Sequence, residues 1–230
     1  MESILSFDQL EAIRRLDACT LSNAIETFDL RLRNEGFADA SIRCMFPQLP
    51  PMLGYAVTAR IRGSGPPPVG HSYFDRGDWW SYILTVPGPR VTVVQDLDDP
   101  PGVGGFVGEV HASIHRALGC VGTVTNGGVR DLPAVEKMGY QLFAAHPSVS
   151  HAYVHMVEFG EPVEIGGLTI RSGDLIFGDC HGILSIPREI AADLPAVAAR
   201  MLAREQRVIG LCRSPTFSLE KLREIIKELG

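Results

Sequence analysis

Two glycine-rich segments carry the residues best suited to do chemistry in this chain: GVGGFVGE, ending at Glu109, and GGVRD, ending at Asp131. Arg130 offers a planar guanidinium fork that can hold a carboxylate or a developing enolate oxygen through charge-assisted bonds. Asp131 beside it is a hard oxygen ligand, suited together with waters to Mg²⁺ or Mn²⁺. Glu109 stands 21 positions before Arg130 and supplies another carboxylate, able to reach the ion through a water. The glycine loop lets backbone approach a ligand closely and feeds a helix that starts at 109. The first N–H groups of that helix, on Glu109, Val110 and His111, are expected to point outward as a seat for a carboxylate or phosphate. A plainer reading stands beside this one, in which Arg130 and Asp131 form a surface turn and Asp131 caps the short helix that follows.

The elements that must position these residues follow from pattern. RVTVVQDL (90–97) is β-branched without clean alternation, as in a strand buried on both faces. EVHASIHRAL (109–118) is helical and is closed by Gly119; VGTVTN (121–126) is strand, LPAVEKM (132–138) helix and YQLFAA (140–145) strand. This alternation between 90 and 145 predicts parallel strands joined by right-handed crossovers. Both glycine segments then fall at the carboxyl ends of neighbouring strands, the edge where open α/β sheets bind ligands. GYAVTARIRG (54–63) alternates like a strand, SGPPPVG (64–70) is a loop, and 98–108 is a loop. DWWSYILTV stays open between helix and strand. Residues 6–30 predict two short helices, the second capped by Thr20 or Ser22. From 151 to 187 short strands punctuated by Gly and Pro predict an antiparallel β layer, followed by helices at 187–211, opened by Pro187, and at 217–229. No linker divides the chain, so 1–230 reads as one domain.

Other motifs carry less. The spacing of Gly102, Gly104 and Gly108 fails the G-x-G-x-x-G test for a dinucleotide site by one residue. His111 and His115 share a helix face, but Ala112, Ser113 and Ile114 between them lack the Glu of a metalloprotease. His151 and His155 lie in an expected strand, where i and i+4 stand too far apart to chelate one ion. Ordinary histidines account for both pairs. Asp179 and His181 read as turn residues. Trp79 and Trp80, being adjacent, point different ways, one of them into the core.

Composition bounds the rest. With 45% hydrophobic and 21% charged residues in 230, the chain is that of an ordinary globular protein. A net charge of −6 disfavours binding to a phosphate backbone, so no nucleic-acid partner is expected. Five scattered cysteines without C-x-x-C spacing imply reduced thiols in the cytoplasm. No apolar run is long enough to span a membrane, and the first residues do not read as a signal peptide.

GEVHASIHRALGCVGTVTNGGVRDL resembles the signature of the RraA-like family, in which a carboxylate is followed after twenty residues by Arg-Asp; here these are Glu109, Arg130 and Asp131. GYAVTARI at 54–61 and PVEIGGLTIRSGDLIFGDCHGILSIPREIA at 162–191 extend the likeness. The family includes 4-hydroxy-4-methyl-2-oxoglutarate and 4-carboxy-4-hydroxy-2-oxoadipate aldolases of the class II pyruvate type, and also a regulator of ribonuclease E. The resemblance implies a swivelling β/β/α sandwich assembled as a homotrimer or a dimer of trimers. It implies substrate binding at Gly108, Glu109, Val110, His111 and Arg130, catalysis by Arg130 with Glu109, and a divalent metal at Asp131. The implied reaction is C–C cleavage of a 2-oxo acid, with oxaloacetate decarboxylation at the same site; the alternative is a non-catalytic regulator of ribonuclease activity. Two departures concern the metal's surroundings: Glu109 stands where many of the aldolases have Asp, and Ala134 where many have an acidic residue.

Overall fold

The computed structural model describes residues 4–67 and 76–229. In chain order the elements are α1 (Phe7–Arg14), α2 (Ala18–Glu26), β1 (Arg43–Cys44), β2 (Met52–Arg62), α3 (Arg76–Thr85), β3 (Arg90–Asp96), β4 (Gly105–Val107), α4 (Glu109–Ala117), β5 (Cys120–Thr125), β6 (Gly128–Val129) and α5 (Leu132–Lys137). There follow β7 (Gln141–Ala144), β8 (His146–Pro147), β9 (His155–Phe159), β10 (Val163–Ile165), β11 (Leu168–Ile170), β12 (Leu175–Asp179), β13 (Gly182–Ile186), α6 (Leu194–Cys212) and α7 (Leu219–Leu229).

The main sheet runs β1-β7-β5-β3-β2-β12-β13. Its centre, β7-β5-β3-β2, is parallel, as the alternation of strands and helices requires. The strands after 151 are antiparallel: β12 pairs with the first half of β2 and with β13, and β9 pairs with the second half of β2. The β10–β11 hairpin forms a layer of its own.

Both faces of the sheet are covered, which explains why β2 is buried at nearly every position instead of alternating. On one face Tyr55, Val57, Ala59 and Ile61 pack with residues of α1 to α6, such as Ile13, Leu21, Ile83, Ala112 and Leu194. On the other, Ala56, Val91, Val93, Val124 and Phe143 pack against Val163, Ile165, Leu168 and Ile170 of the hairpin. Burying each of those four hairpin side chains contributes roughly 1.5–3 kcal/mol. Their gross sum is comparable to the whole net stability of a domain, about 5–15 kcal/mol, so the hairpin is integral to the fold. The result is a β/β/α sandwich.

Several boundaries differ from the sequence expectation, each for a local reason. The segment left open between helix and strand is settled as helix α3. α2 is capped by Asp17, whose carboxylate accepts from the Thr20 backbone N–H and from its hydroxyl, so neither Thr20 nor Ser22 is the cap. Pro187 closes β13; α6 opens only at Leu194, after turns that bury Ile190 and Ala191. The supposed loops 98–108 and 127–131 contain the short strands β4 and β6. These pair in parallel with each other, and β6 pairs with β8, so the segments following β3, β5 and β7 form a second, three-stranded sheet. Of the segment 64–70, residues 64–67 are loop and 68–70 lie outside the described residues. Among the described residues no helix is long and apolar enough to cross a membrane.

Candidate active site

β3 and β5 are parallel neighbours, and the two glycine segments leave from their carboxyl ends on the same side of the sheet. The small sheet then locks them together: the Arg130 N–H donates to the Val107 carbonyl at 2.8 Å. Arg130 and Asp131 therefore sit beside Gly108 and the start of α4.

The glycines of the first loop serve a different purpose from the one the sequence suggests. A Cβ at Gly105 would lie 2.6 Å from the Arg130 Cγ, and one at Gly108 would lie 2.4 Å from the Asp131 Oδ2. Gly108 has an extended backbone, φ −133°, which any residue adopts, so it is space and not conformation that requires glycine there. These positions make room for the site's own side chains.

Asp131 is in the left-handed region, φ +53° and ψ +35°, which costs an L-residue roughly 1–2 kcal/mol. Its carboxylate makes no capping bond to its own helix α5. Instead Oδ2 accepts from the Glu109 N–H at 3.0 Å, placing negative charge on the N-terminus of α4. The surface-turn reading thus gives way to a carboxylate held by the neighbouring helix. One of the three N–H groups expected to await a ligand anion, that of Glu109, is already engaged. Strain of this kind in a non-glycine residue concentrates at functional sites.

Around this pair opens a cleft of ≈ 450 Å³, and Gly108, Val110, His111, Arg130 and Asp131 all line it. Glu109 is not among its lining residues; its side chain is exposed on the first turn of α4. Trp80 and residues 151–156 also line the cleft, and it is the 151–156 segment that the sequence reading did not connect with the site. His151 lies in a loop and not in a strand, while His155 opens β9. Of the tryptophans, Trp79 is the core residue, 2% exposed, and Trp80 is half-buried.

Behind the cleft, His115 is buried in α4 and accepts from the Trp79 Nε1–H at 3.3 Å, while among the described residues its Nδ1 has no hydrogen-bond partner. Burial, then the nearby His111, pushes its pKa down to about 3. Three further residues brace the loops. Asn126 Oδ1 accepts from the Asp96 N–H at 2.6 Å, and the Asp96 carboxylate accepts from the Gly102 and Asp98 N–H groups at 2.8 and 3.0 Å. Asp98 in turn accepts from Gly63 and Ser64, and although burial raises its pKa, those hydrogen bonds and Arg62 hold it below the ordinary value. Sequence reasoning missed this latch; its one visible sign is polar DLD at the end of an otherwise apolar strand.

Asp131 supplies the oxygen-donor chemistry that suits a hard divalent cation, exposed and beside a guanidinium on one cleft wall. Among the described residues the group of His, Cys and carboxylate donors close enough to share an ion is Asp179–Cys180–His181. It lies at the β12–β13 turn, where Asp179 accepts from the N–H groups of Ala18 and His181. Since Gly178 pairs with Met52 at the start of β2, that turn is on the opposite edge of the sheet from the cleft.

The chain resembles known proteins over most of its length. A family model described as RraA-like, Aldolase/RraA, matches residues 18–185. A Halalkalibacterium halodurans protein provisionally named 4-hydroxy-4-methyl-2-oxoglutarate aldolase is 29% identical over 84 residues, 36% of this chain and 40% of that protein. The chain spans less than half the length of the first curated relatives it matches. The crystal structure of an uncharacterized protein from Pseudomonas syringae pv. tomato superposes with a TM-score of 0.75 at 24% identity, covering 97% of this chain and 96% of that one. A Streptomyces coelicolor protein, described as an unusual member of the RNase ES inhibitor RraA protein family, superposes with a TM-score of 0.69 at 18% identity, covering 89% and 96%. With the family signature, the sandwich and the family match in agreement, this chain belongs to the RraA-like family.

Proposed function

We propose that this protein is a divalent-metal-dependent lyase that cleaves C–C bonds of pyruvate-derived 2-oxo acids, in the manner of the 4-hydroxy-4-methyl-2-oxoglutarate and 4-carboxy-4-hydroxy-2-oxoadipate aldolases, with oxaloacetate decarboxylation at the same site. The observation that carries this reading is the joint placement of Arg130 and Asp131 on one cleft wall, each seated against a glycine that clears its space. Asp131 would hold Mg²⁺ or Mn²⁺, which when bound supplies Lewis-acid polarisation of the 2-oxo group.

The chain's own residues do the rest. Gly108, Glu109, Val110 and His111 form the stretch that orients the substrate's carboxylate and keto oxygen. As the bond between C3 and C4 breaks, its electron pair moves into the pyruvyl enolate, and Arg130 stabilises the negative charge arriving on the oxygen. The C4 hydroxyl loses its proton as the new carbonyl leaves, with Glu109 at the rim as the carboxylate assisting that transfer. The enolate then takes a proton at C3 and departs as pyruvate. In oxaloacetate the leaving group is CO₂ and the same enolate forms.

We further propose that the protein works as a homotrimer or a dimer of trimers. Val110 at the cleft mouth is 70% exposed and Val149 is 96% exposed, apolar surface that a neighbouring copy would cover.

The test is pyruvate release from oxaloacetate with Mg²⁺, with and without EDTA. Turnover that EDTA abolishes is the expected result. Absence of turnover under both conditions overturns the lyase reading and favours a binding protein of the ribonuclease-regulator kind.

A further inference from the structure

Trp80, Phe106, Tyr153, Val154 and Met156 bring apolar surface into the cleft that Arg130 and Asp131 also line. Among the described residues lining the cleft, Arg130 is the one side chain with a permanent positive charge, and Asp131 faces the same space. Two of the imidazoles have Nδ1 committed to a backbone carbonyl. His151 Nδ1 lies 2.7 Å from the Ala152 carbonyl and His155 Nδ1 lies 2.8 Å from the Tyr153 carbonyl. A carbonyl only accepts, so in the neutral rings Nδ1 carries the hydrogen and Nε2 presents a lone pair. A lone pair repels a carboxylate and accepts from a hydroxyl. His111 stacks on Phe106 with centroids 4.8 Å apart and planes at 29°, extending the aromatic surface. The cleft, at ≈ 450 Å³, falls in the range of pockets that enclose ligands much larger than pyruvate, about 300–1,000 Å³.

On the lyase reading above, the guanidinium is committed to the pyruvyl end. A substrate carrying further carboxylates would set them against ring, aliphatic and thioether surface that offers at most the neutral donors of Trp80 and Tyr153 and, among the described lining residues, no second permanent cation. An uncharged aromatic group would instead stack there. We propose that the preferred substrate is a 4-hydroxy-2-oxo acid whose C4 substituent is aromatic and uncharged, with Trp80 and Tyr153 as the residues that select it. This inference rests on the lyase reading. The C3–C4 bond breaks, its electron pair goes to the enolate, the C4 hydroxyl gives up its proton to leave an aryl aldehyde, and C3 takes up a proton to give pyruvate; no further reactant is needed.

Three substrates separate the outcomes, each followed by pyruvate release with Mg²⁺: 4-hydroxy-2-oxo-4-phenylbutanoate, 4-hydroxy-4-methyl-2-oxoglutarate and oxaloacetate. The expected result is a kcat/KM at least about tenfold higher for the phenyl compound than for the dicarboxylate. Trp80→Ala and Tyr153→Ala should each shrink that ratio, by lowering the phenyl value more than the oxaloacetate value; Tyr153 is exposed, so its variant folds even should Trp80→Ala not. Oxaloacetate turnover combined with equal or better use of the dicarboxylate overturns the inference and leaves the lyase reading standing, as does a ratio unchanged in both variants. Failure on all three substrates removes the lyase reading and this inference with it.

Discussion

Asp131 concentrates what a single residue contributes here. Its left-handed backbone is unfavourable, and its bond to the Glu109 N–H offsets that cost by about 1 kcal/mol. Asp131→Gly removes both terms at once, so the melting temperature should stay within about 3 °C of wild type, given about 2–4 °C per kcal/mol for a chain of this size. Metal-dependent turnover should nevertheless vanish. A large loss of stability, seen by calorimetry, would mean that the carboxylate serves the fold. Gly108→Ala makes the complementary case: the added methyl meets Asp131 Oδ2 at 2.4 Å. It should therefore lower kcat/KM by displacing that carboxylate while the far-UV circular dichroism stays unchanged. Arg130→Ala should lower kcat/KM by about 10²-fold or more, as for loss of one preorganised stabiliser, and near-normal turnover would remove its assigned role. The Arg-Asp pair and the carboxylate 21 residues before Arg130 are legible in the sequence. The backbone strain of Asp131 and its alliance with α4 are not, because they depend on a loop from another strand arriving beside it.

At the level of elements, the β3–α4–β5–α5–β7 alternation is readable because the helices keep helical spacing and the strands are β-branched, and Gly119, at φ +78°, ends α4 where expected. β4, β6 and β8 are not readable: two or three residues have no periodicity, and these strands exist only because three loops leave the sheet side by side. α4 also carries a pH-dependent contribution that its amphipathic pattern hides. His115 has a pKa of about 3 in the folded state, below its ordinary 6.5. The unfolded chain therefore takes up a proton first as pH falls. Stability is unaffected well above pH 6.5 and declines as pH drops from 6.5 toward 3, at up to about 1.4 kcal/mol per pH unit. Urea unfolding at pH 7 and pH 5 should show this loss. His115→Gln, which retains an acceptor for the Trp79 N–H, should shrink it; an equal loss in the variant would assign the effect to other groups.

For the whole molecule, the sequence carries the class of fold well, since crossover helices and an antiparallel second half leave few topologies. It does not reveal that residues 151–156 line the cleft, because no pattern ties a loop after β8 to a glycine segment some forty residues earlier. A homotrimer of 25.0 kDa chains should scatter light as a particle of about 75 kDa, and a dimer of trimers as about 150 kDa; a monomer mass at micromolar concentration would contradict the proposed assembly.

On the proposed function, Arg130 and Asp131 together hold the enolate-like end of a 2-oxo acid with a divalent cation. Titration calorimetry with oxalate, a planar mimic of the pyruvate enolate, measures this directly. Binding should require Mg²⁺ and be lost in both Arg130→Ala and Asp131→Asn; oxalate binding of equal strength in EDTA, or in either variant, would contradict the proposed function.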